Sequence, residues 1–157
     1  MTKQIPLTKG KVAIIDDCDF ELVSQYRWLV RGKYASITNP VEGKFLYMHR
    51  LITGAKPGQS VDHIDGNHLN NTRANLRICS HSENIRNSKK QKKNTSGYKG
   101  VSPHCGKWLV HIQNVHVGVF ENLIEAARAY DEKAVELFGE FARLNFPERR
   151  QQRQAVA

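Results

Sequence analysis

Between Val61 and Asn87 the chain reads VDHIDGNHLNNTRANLRICSHSENIRN, and no other stretch constrains the fold as tightly. Val61 closes a short apolar strand, and Gly66 permits a tight turn just after His63 and Asp65. Asn75 stands before Leu76, where a second strand is predicted to start. Ser80 and Glu83 have capping-box spacing, which predicts a helix from His81. A strand, a loop, a strand and a capped helix would gather Asp62, His63, Asn75 and Asn84 into one unit. An acid, an imidazole and a second oxygen ligand held close together suit metal-assisted phosphodiester hydrolysis.

Each residue type has a reason to be there. An imidazole with an ordinary pKa near 6.5 is a useful base at neutral pH, so His63 can take a proton from water. Asp62 precedes it directly and points to the opposite side of an extended strand. It is therefore not the histidine's orienter, but it can face a metal if the strand bends at its end. Asn75 is placed to hold a backbone carbonyl of the His63 loop. His81, Asn84 and Asn87 or Ser88 fall on one helix face. One carboxylate and one amide oxygen, completed by phosphate oxygens and water, suit a hard cation such as Mg²⁺. An Asp-His pair alone means little, and Asn-rich loops mostly cap and turn. The ordered set with a capped helix behind it is far more specific.

The 157 residues allow one ordinary domain or two small ones. The formal net charge is +9, which favours a polyanionic partner. The excess is concentrated at residues 88–97 (SKKQKKNTSG), which carry 4 basic and no acidic side chains and read as a linker. Cys18, Cys79 and Cys105 are far apart and odd in number, which argues against a zinc ribbon or a disulfide framework and for a reducing compartment. No apolar run approaches a membrane span, and no signal peptide is expected.

Ahead of the motif, residues 11–16, 26–30, 34–38 and 44–48 are predicted strands, separated by turn signals that include Asn39-Pro40, and residues 49–53 a short helix. Behind it, residues 98–102, 107–113 and 115–120 are predicted as three strands, with turn chemistry at Gly106 and Asn114. Asn122 and Glu125 open a helix whose apolar face carries Ala127, Tyr130, Ala134 and Leu137, and Gly139 is placed to end it. Three strands on one helix bury one sheet face and leave the other open.

The motifs carry two resemblances. Asp62-His63-Ile64-Asp65-Gly66-Asn67, Asn70-Asn71, Asn75-Leu76-Arg77 and Ser82-Glu83-Asn84 resemble the HNH nucleases of ββα-metal fold, in their phage and intron homing branch. The flanks Ile5-Pro6-Leu7-Thr8 and Tyr47-Met48-His49-Arg50 resemble them too. The resemblance implies His63 as general base, Asn75 as its positioner, and Asp62 and Asn84 as ligands of one divalent ion, Mg²⁺ or Mn²⁺. His81 is a second candidate ligand. Ser96-Gly97-Tyr98-Lys99-Gly100-Val101, Gly106-Lys107-Trp108, the helix from Glu125 to Asp131 and Leu144-Asn145-Phe146-Pro147 resemble the plant APETALA2/ethylene-response-factor DNA-binding domain. That resemblance implies an open sheet face in the DNA major groove, offering Lys99, Ser102, His104, Lys107, Trp108, His111 and Gln113. Several of these are arginine in the plant domains, so a GC-rich preference does not carry over. Lys89, Lys90, Lys92 and Lys93 would follow the phosphate backbone.

The expected class is α+β: an HNH domain at 1–87 (a β-rich part, 1–48, and the ββα-metal motif, 49–87), a basic linker at 88–97, an APETALA2-like domain at 98–147 and a tail at 148–157. The expected function is metal-dependent, site-specific nicking of double-stranded DNA by a cytoplasmic monomer that needs no protein partner or membrane. The alternative is a non-catalytic DNA-binding regulator on a degenerate HNH fold, with an RNA-binding protein behind it.

Overall fold

The chain opens with an antiparallel hairpin, β1 (Thr2–Pro6) and β2 (Val12–Asp16), followed by a five-residue helix α1 (Phe20–Ser24). β3 (Leu29–Arg31), β4 (Tyr34–Thr38) and β5 (Phe45–Tyr47) form an antiparallel sheet with β4 central, and α2 (Met48–Thr53) follows at once. β6 (Ser60–His63) pairs with β7 (Leu76–Cys79), and α3 (His81–Arg86) completes the strand–loop–strand–helix. Then come β8 (Val101–His104), β9 (Lys107–Ile112), β10 (Val115–Phe120) and the sixteen-residue α4 (Leu123–Phe138). The structure is a computed structural model describing residues 1–38, 43–87 and 94–147. The Asn39-Pro40 turn, Lys89, Lys90, Lys92, Lys93 and the tail lie outside the described residues. The architecture is α+β, in two units, Met1–Asn84 and Ile85–Ala157.

The first unit has one core, built from Ile5, Ala13, Ile15, Val23, Trp28, Ala35, Ile37, Met48, Ile52, Val61 and Leu76 among others. Trp28 is its largest fully buried side chain, and its indole N–H is satisfied by the Val23 carbonyl at 2.9 Å. Two elements here carry little sequence signal. β1 buries only Ile5, so it lacks alternation, and α1 is too short to show a helical period. The strand expected at 26–30 runs from Leu29 to Arg31, because Trp28 turns into the core instead. Met48 belongs to the start of α2 and not to the preceding strand.

In the second unit, Val101, Val110, Ile112, Ala126, Ala127, Tyr130, Ala134 and Phe138 form the core between the β10-β9-β8 sheet and α4. Asn122 caps α4 by accepting from the N–H groups of Ile124 and Glu125. Leu137, expected on the buried face, is exposed, and Phe138 takes its place. At 100° per residue, position 138 lies about 20° from Ala127, whereas 137 lies about 80° away. The β8–β9 turn has positive φ at both Cys105 and Gly106, and Gln113 has positive φ at the β9–β10 turn. The closing segment is clipped at two points. Asp131 accepts from the N–H groups of Asn145 and Phe146, and Asn145 accepts from the Lys99 N–H.

Candidate active site

The β6–β7 register sets the site. Asp62 faces Arg77 across the ribbon and His63 faces Leu76, so the two candidate residues lie on opposite faces, as strand alternation requires. Asp62 is buried, and its Oδ2 accepts from Arg77 Nε at 2.9 Å and Nη2 at 2.6 Å. This fork holds the carboxylate rigid.

Asn75 lies at the mouth of β7 and staples the loop that follows His63. Its side-chain oxygen accepts from the Asp65 N–H at 3.0 Å, and its amide donates to the Asn70 carbonyl at 2.8 Å and to Asp65 Oδ1 at 3.0 Å. Its backbone carbonyl accepts from Ile64 N–H. The side chain that reaches His63 itself is Asn71, which is 1% exposed. Asn71 Nδ2 donates to the Leu69 carbonyl at 3.2 Å, which turns its Oδ1 toward His63 Nε2 at 3.3 Å. An amide oxygen can only accept, so Nε2 carries the proton and the basic lone pair sits on Nδ1. Burial pushes the His63 pKa below the usual 6.5, against the opposing pull of Asn71, Asp65 and Asp62. The ring is therefore neutral, and a base, at pH 7.

Sequence reasoning missed the shelf on which His63 rests. His49 and His68 lie 5.2 and 5.3 Å from the His63 ring, and Tyr34 lies 4.7 Å from His68 and 5.2 Å from His49. Tyr47 stacks on His49 at 5.6 Å. Arg77 was findable from antiparallel register, which sets it opposite Asp62. Asn71 had no such signal, because its partner depends on a loop path.

His49 has a stability consequence. Burial, helped by His63, Arg50 and His68, pushes its pKa down to about 3. A group with a lowered folded value contributes stability that is complete above its unfolded pKa of about 6.5 and is lost as pH falls toward the folded value. The loss is up to about 1.4 kcal/mol per pH unit. Urea midpoints of wild type should therefore drop between pH 7 and pH 5, and His49→Phe should flatten the dependence; an equal drop in both proteins would refute the assignment.

The capping box is reciprocal: the Ser80 N–H donates to Glu83 Oε2 at 2.8 Å, and the Glu83 N–H donates to Ser80 Oγ at 3.3 Å. Asn84 is half-buried one turn into α3, whereas His81 is exposed. Among the described residues, no three His, Cys, Asp or Glu side chains are arranged to cage a metal. The two ligands expected from the sequence, the Asp62 carboxylate and the Asn84 amide oxygen, are of the chemical type that suits a hard divalent ion keeping several waters.

In the second unit, strand alternation sorts the groove-facing candidates. Ser102, His104, Lys107 and His111 are exposed on the outer face, where Leu109 pairs with Val119 and His111 with His116. Trp108 does not join them: it alternates with Val110 and Ile112 and packs on the core. Gln113 sits in the hairpin turn. Lys99 precedes β8 and donates its Nζ to the Arg86 carbonyl at 2.7 Å; burial lowers its pKa to about 8. Its ammonium is committed within the unit and not presented on the open sheet.

Strand, stapled loop, strand and capped helix around His63 define a class, and the comparisons agree with it. Residues 46–86 match the family model described as HNH endonuclease. The chain is 35% identical over 146 residues to an uncharacterized HNH endonuclease of Acanthamoeba polyphaga mimivirus, covering 87% of this chain and 76% of the relative. It belongs to the HNH endonuclease family and is a nuclease. It is also 53% identical over 45 residues to Protein 3.8 of Escherichia phage T7, covering 29% of this chain and 37% of that protein. A dehydration-responsive element-binding protein of Arabidopsis thaliana is 41% identical over 58 residues, covering 32% of this chain and 17% of that protein. No solved structure matches the chain significantly. Among the described residues, no helix is long and apolar enough to cross a membrane.

Proposed function

We propose that the chain is a metal-dependent, site-specific DNA endonuclease of the phage or intron homing type, and that it nicks one strand. The observation that carries this reading is the His63 ring, held at Nε2 by Asn71, on the strand whose opposite face carries the Arg77-braced Asp62. In the reaction, Nδ1 takes a proton from water as the water oxygen attacks phosphorus. The bond to the 3′ oxygen breaks and that oxygen takes a proton from solvent water, leaving a 5′ phosphate and a 3′ hydroxyl. Asp62 and Asn84 would hold one Mg²⁺ or Mn²⁺, which when bound supplies charge stabilisation at the phosphate oxygens. Asn75 keeps the His63 loop closed on β7. Ser102, His104, Lys107 and His111 would meet double-stranded DNA, with Lys89, Lys90, Lys92 and Lys93 on phosphates. Four such contacts correspond to a salt slope of about −3.6.

The test is supercoiled plasmid carrying the natural locus, incubated with Mg²⁺ or Mn²⁺. Relaxed circles should accumulate before linear DNA, and chelator should stop the reaction. Linear product without a relaxed intermediate would rule out nicking by a single site. Asp62→Ala and Asn84→Ala should abolish cleavage while DNA binding persists. If Asn84→Ala is silent and His81→Ala inactive, the second ligand is His81.

A further inference from the structure

The loop that carries Asn71 is held by the first twenty residues of the chain, far from it in sequence. Ile14 on β2 donates its N–H to the Leu69 carbonyl at 2.8 Å and accepts from the Asn71 N–H at 2.7 Å, so the loop joins the β1–β2 hairpin as a parallel bridge. Two residues on, Asp16 Oδ2 accepts from the Arg73 N–H at 2.7 Å. The Arg73 guanidinium reaches Asp19 through Nη2 at 2.6 Å and Nε at 3.0 Å. Asp19 is 2% exposed, whereas the Arg73 side chain is 57% exposed. A buried carboxylate paired in a two-pronged fork fixes both direction and distance. Three successive anchors, at Ile14, Asp16 and Asp19, thus define the path of residues 69–73. That path puts the Asn71 side chain against His63 Nε2. All three anchors lie outside the family-matched residues 46–86.

We propose that Asp19 and Arg73 form a latch that positions the catalytic base: the N-terminal hairpin, by way of this pair, presents Asn71 to His63 and so selects the tautomer with its lone pair on Nδ1. Asp19 is a positioning residue here, since it touches neither His63 nor the site of DNA attack. The inference rests on the reading of His63 as the base. It gives the N-terminal residues a task in catalysis that a mere supporting sheet would not have.

The test is the double variant Asp19→Asn/Arg73→Gln in the full chain. Neutral amides can still hydrogen-bond, so no buried charge is stranded. Displacing a positioned group by an ångström costs up to about 10²-fold in rate, so kcat should fall by roughly 10- to 10²-fold with KM unchanged. The spectroscopic readout is the ¹⁵N shifts of the His63 ring in metal-free protein above pH 7. Wild type should show the Nε2–H tautomer alone, and the variant a mixture. Asp16→Ala should produce the same shift more weakly, and it serves where the double variant does not fold. A folded variant with the wild-type tautomer overturns the latch, whether or not its kcat has fallen. Cleavage that survives in His63→Ala overturns the base assignment instead, and the tautomer measurement separates the two failures.

Discussion

His63→Ala is expected to slow DNA cleavage by about 10²- to 10⁴-fold while leaving DNA affinity unchanged. The magnitude follows from what is removed. A positioned base lowers the barrier to water attack by roughly 3–5 kcal/mol. His49 and His68 lie nearest, but burial holds His49 near pKa 3, too weak a base for the task. Single-turnover rates on a labelled duplex with enzyme in excess give the chemical step, and titration with chelator present gives the affinity. A variant that cleaves within a few-fold of wild type would end the assignment. Wild type carries its own signature. Because burial lowers the His63 pKa, the acid limb of the pH–rate profile should have its midpoint below the usual histidine value of about 6.5.

The second large effect is structural and confined to one unit. At Gly100, φ is +74°, and an added Cβ would meet two Tyr130 ring carbons at 2.1 Å and the His111 carbonyl at 2.8 Å. Tyr130 is 3% exposed and has nowhere to move. Overpacking and a left-handed backbone together cost more than about 3 kcal/mol. Gly100→Ala should therefore unfold the β8–β10 sheet with α4, and specific DNA binding should go with it. Gly106→Ala is the control: its φ is also +74°, but its Cβ meets nothing within 4 Å, so only about 1 kcal/mol of backbone strain remains. Trp28 and Trp108 report on one unit each. Single-tryptophan versions should show the Trp108 transition lost in Gly100→Ala and the Trp28 transition kept. Equal stability of the two alanine variants would contradict the packing at Tyr130.

Gly100 also marks where reading the sequence stopped short. Its motif is visible in the sequence, which predicts a strand from residue 98, whereas β8 starts at Val101. The residues before it are committed to a turn under Tyr130 and to the Asn145 clip, and neither partner is local. Trp108 shows the same limit: an aromatic side chain next to a lysine reads equally well as groove-facing or core-facing until the strand has a register.

What the sequence determined by itself was set by neighbours within a few residues. Ser80 and Glu83 cap α3, Asn122 caps α4, Gly106 serves the β8–β9 turn, and alternation places Asp62 and His63 on opposite faces. These are short-range effects of backbone geometry and hydrogen bonding, so they survive without knowledge of the rest. Only the tertiary structure decided that Arg77 braces Asp62, that Asn71 orients His63, and that Asp19, 54 residues before Arg73 in the chain, holds the loop between them. Those contacts join segments that meet only once the core around Trp28 has formed, because burial, not chain proximity, brings their polar groups within reach.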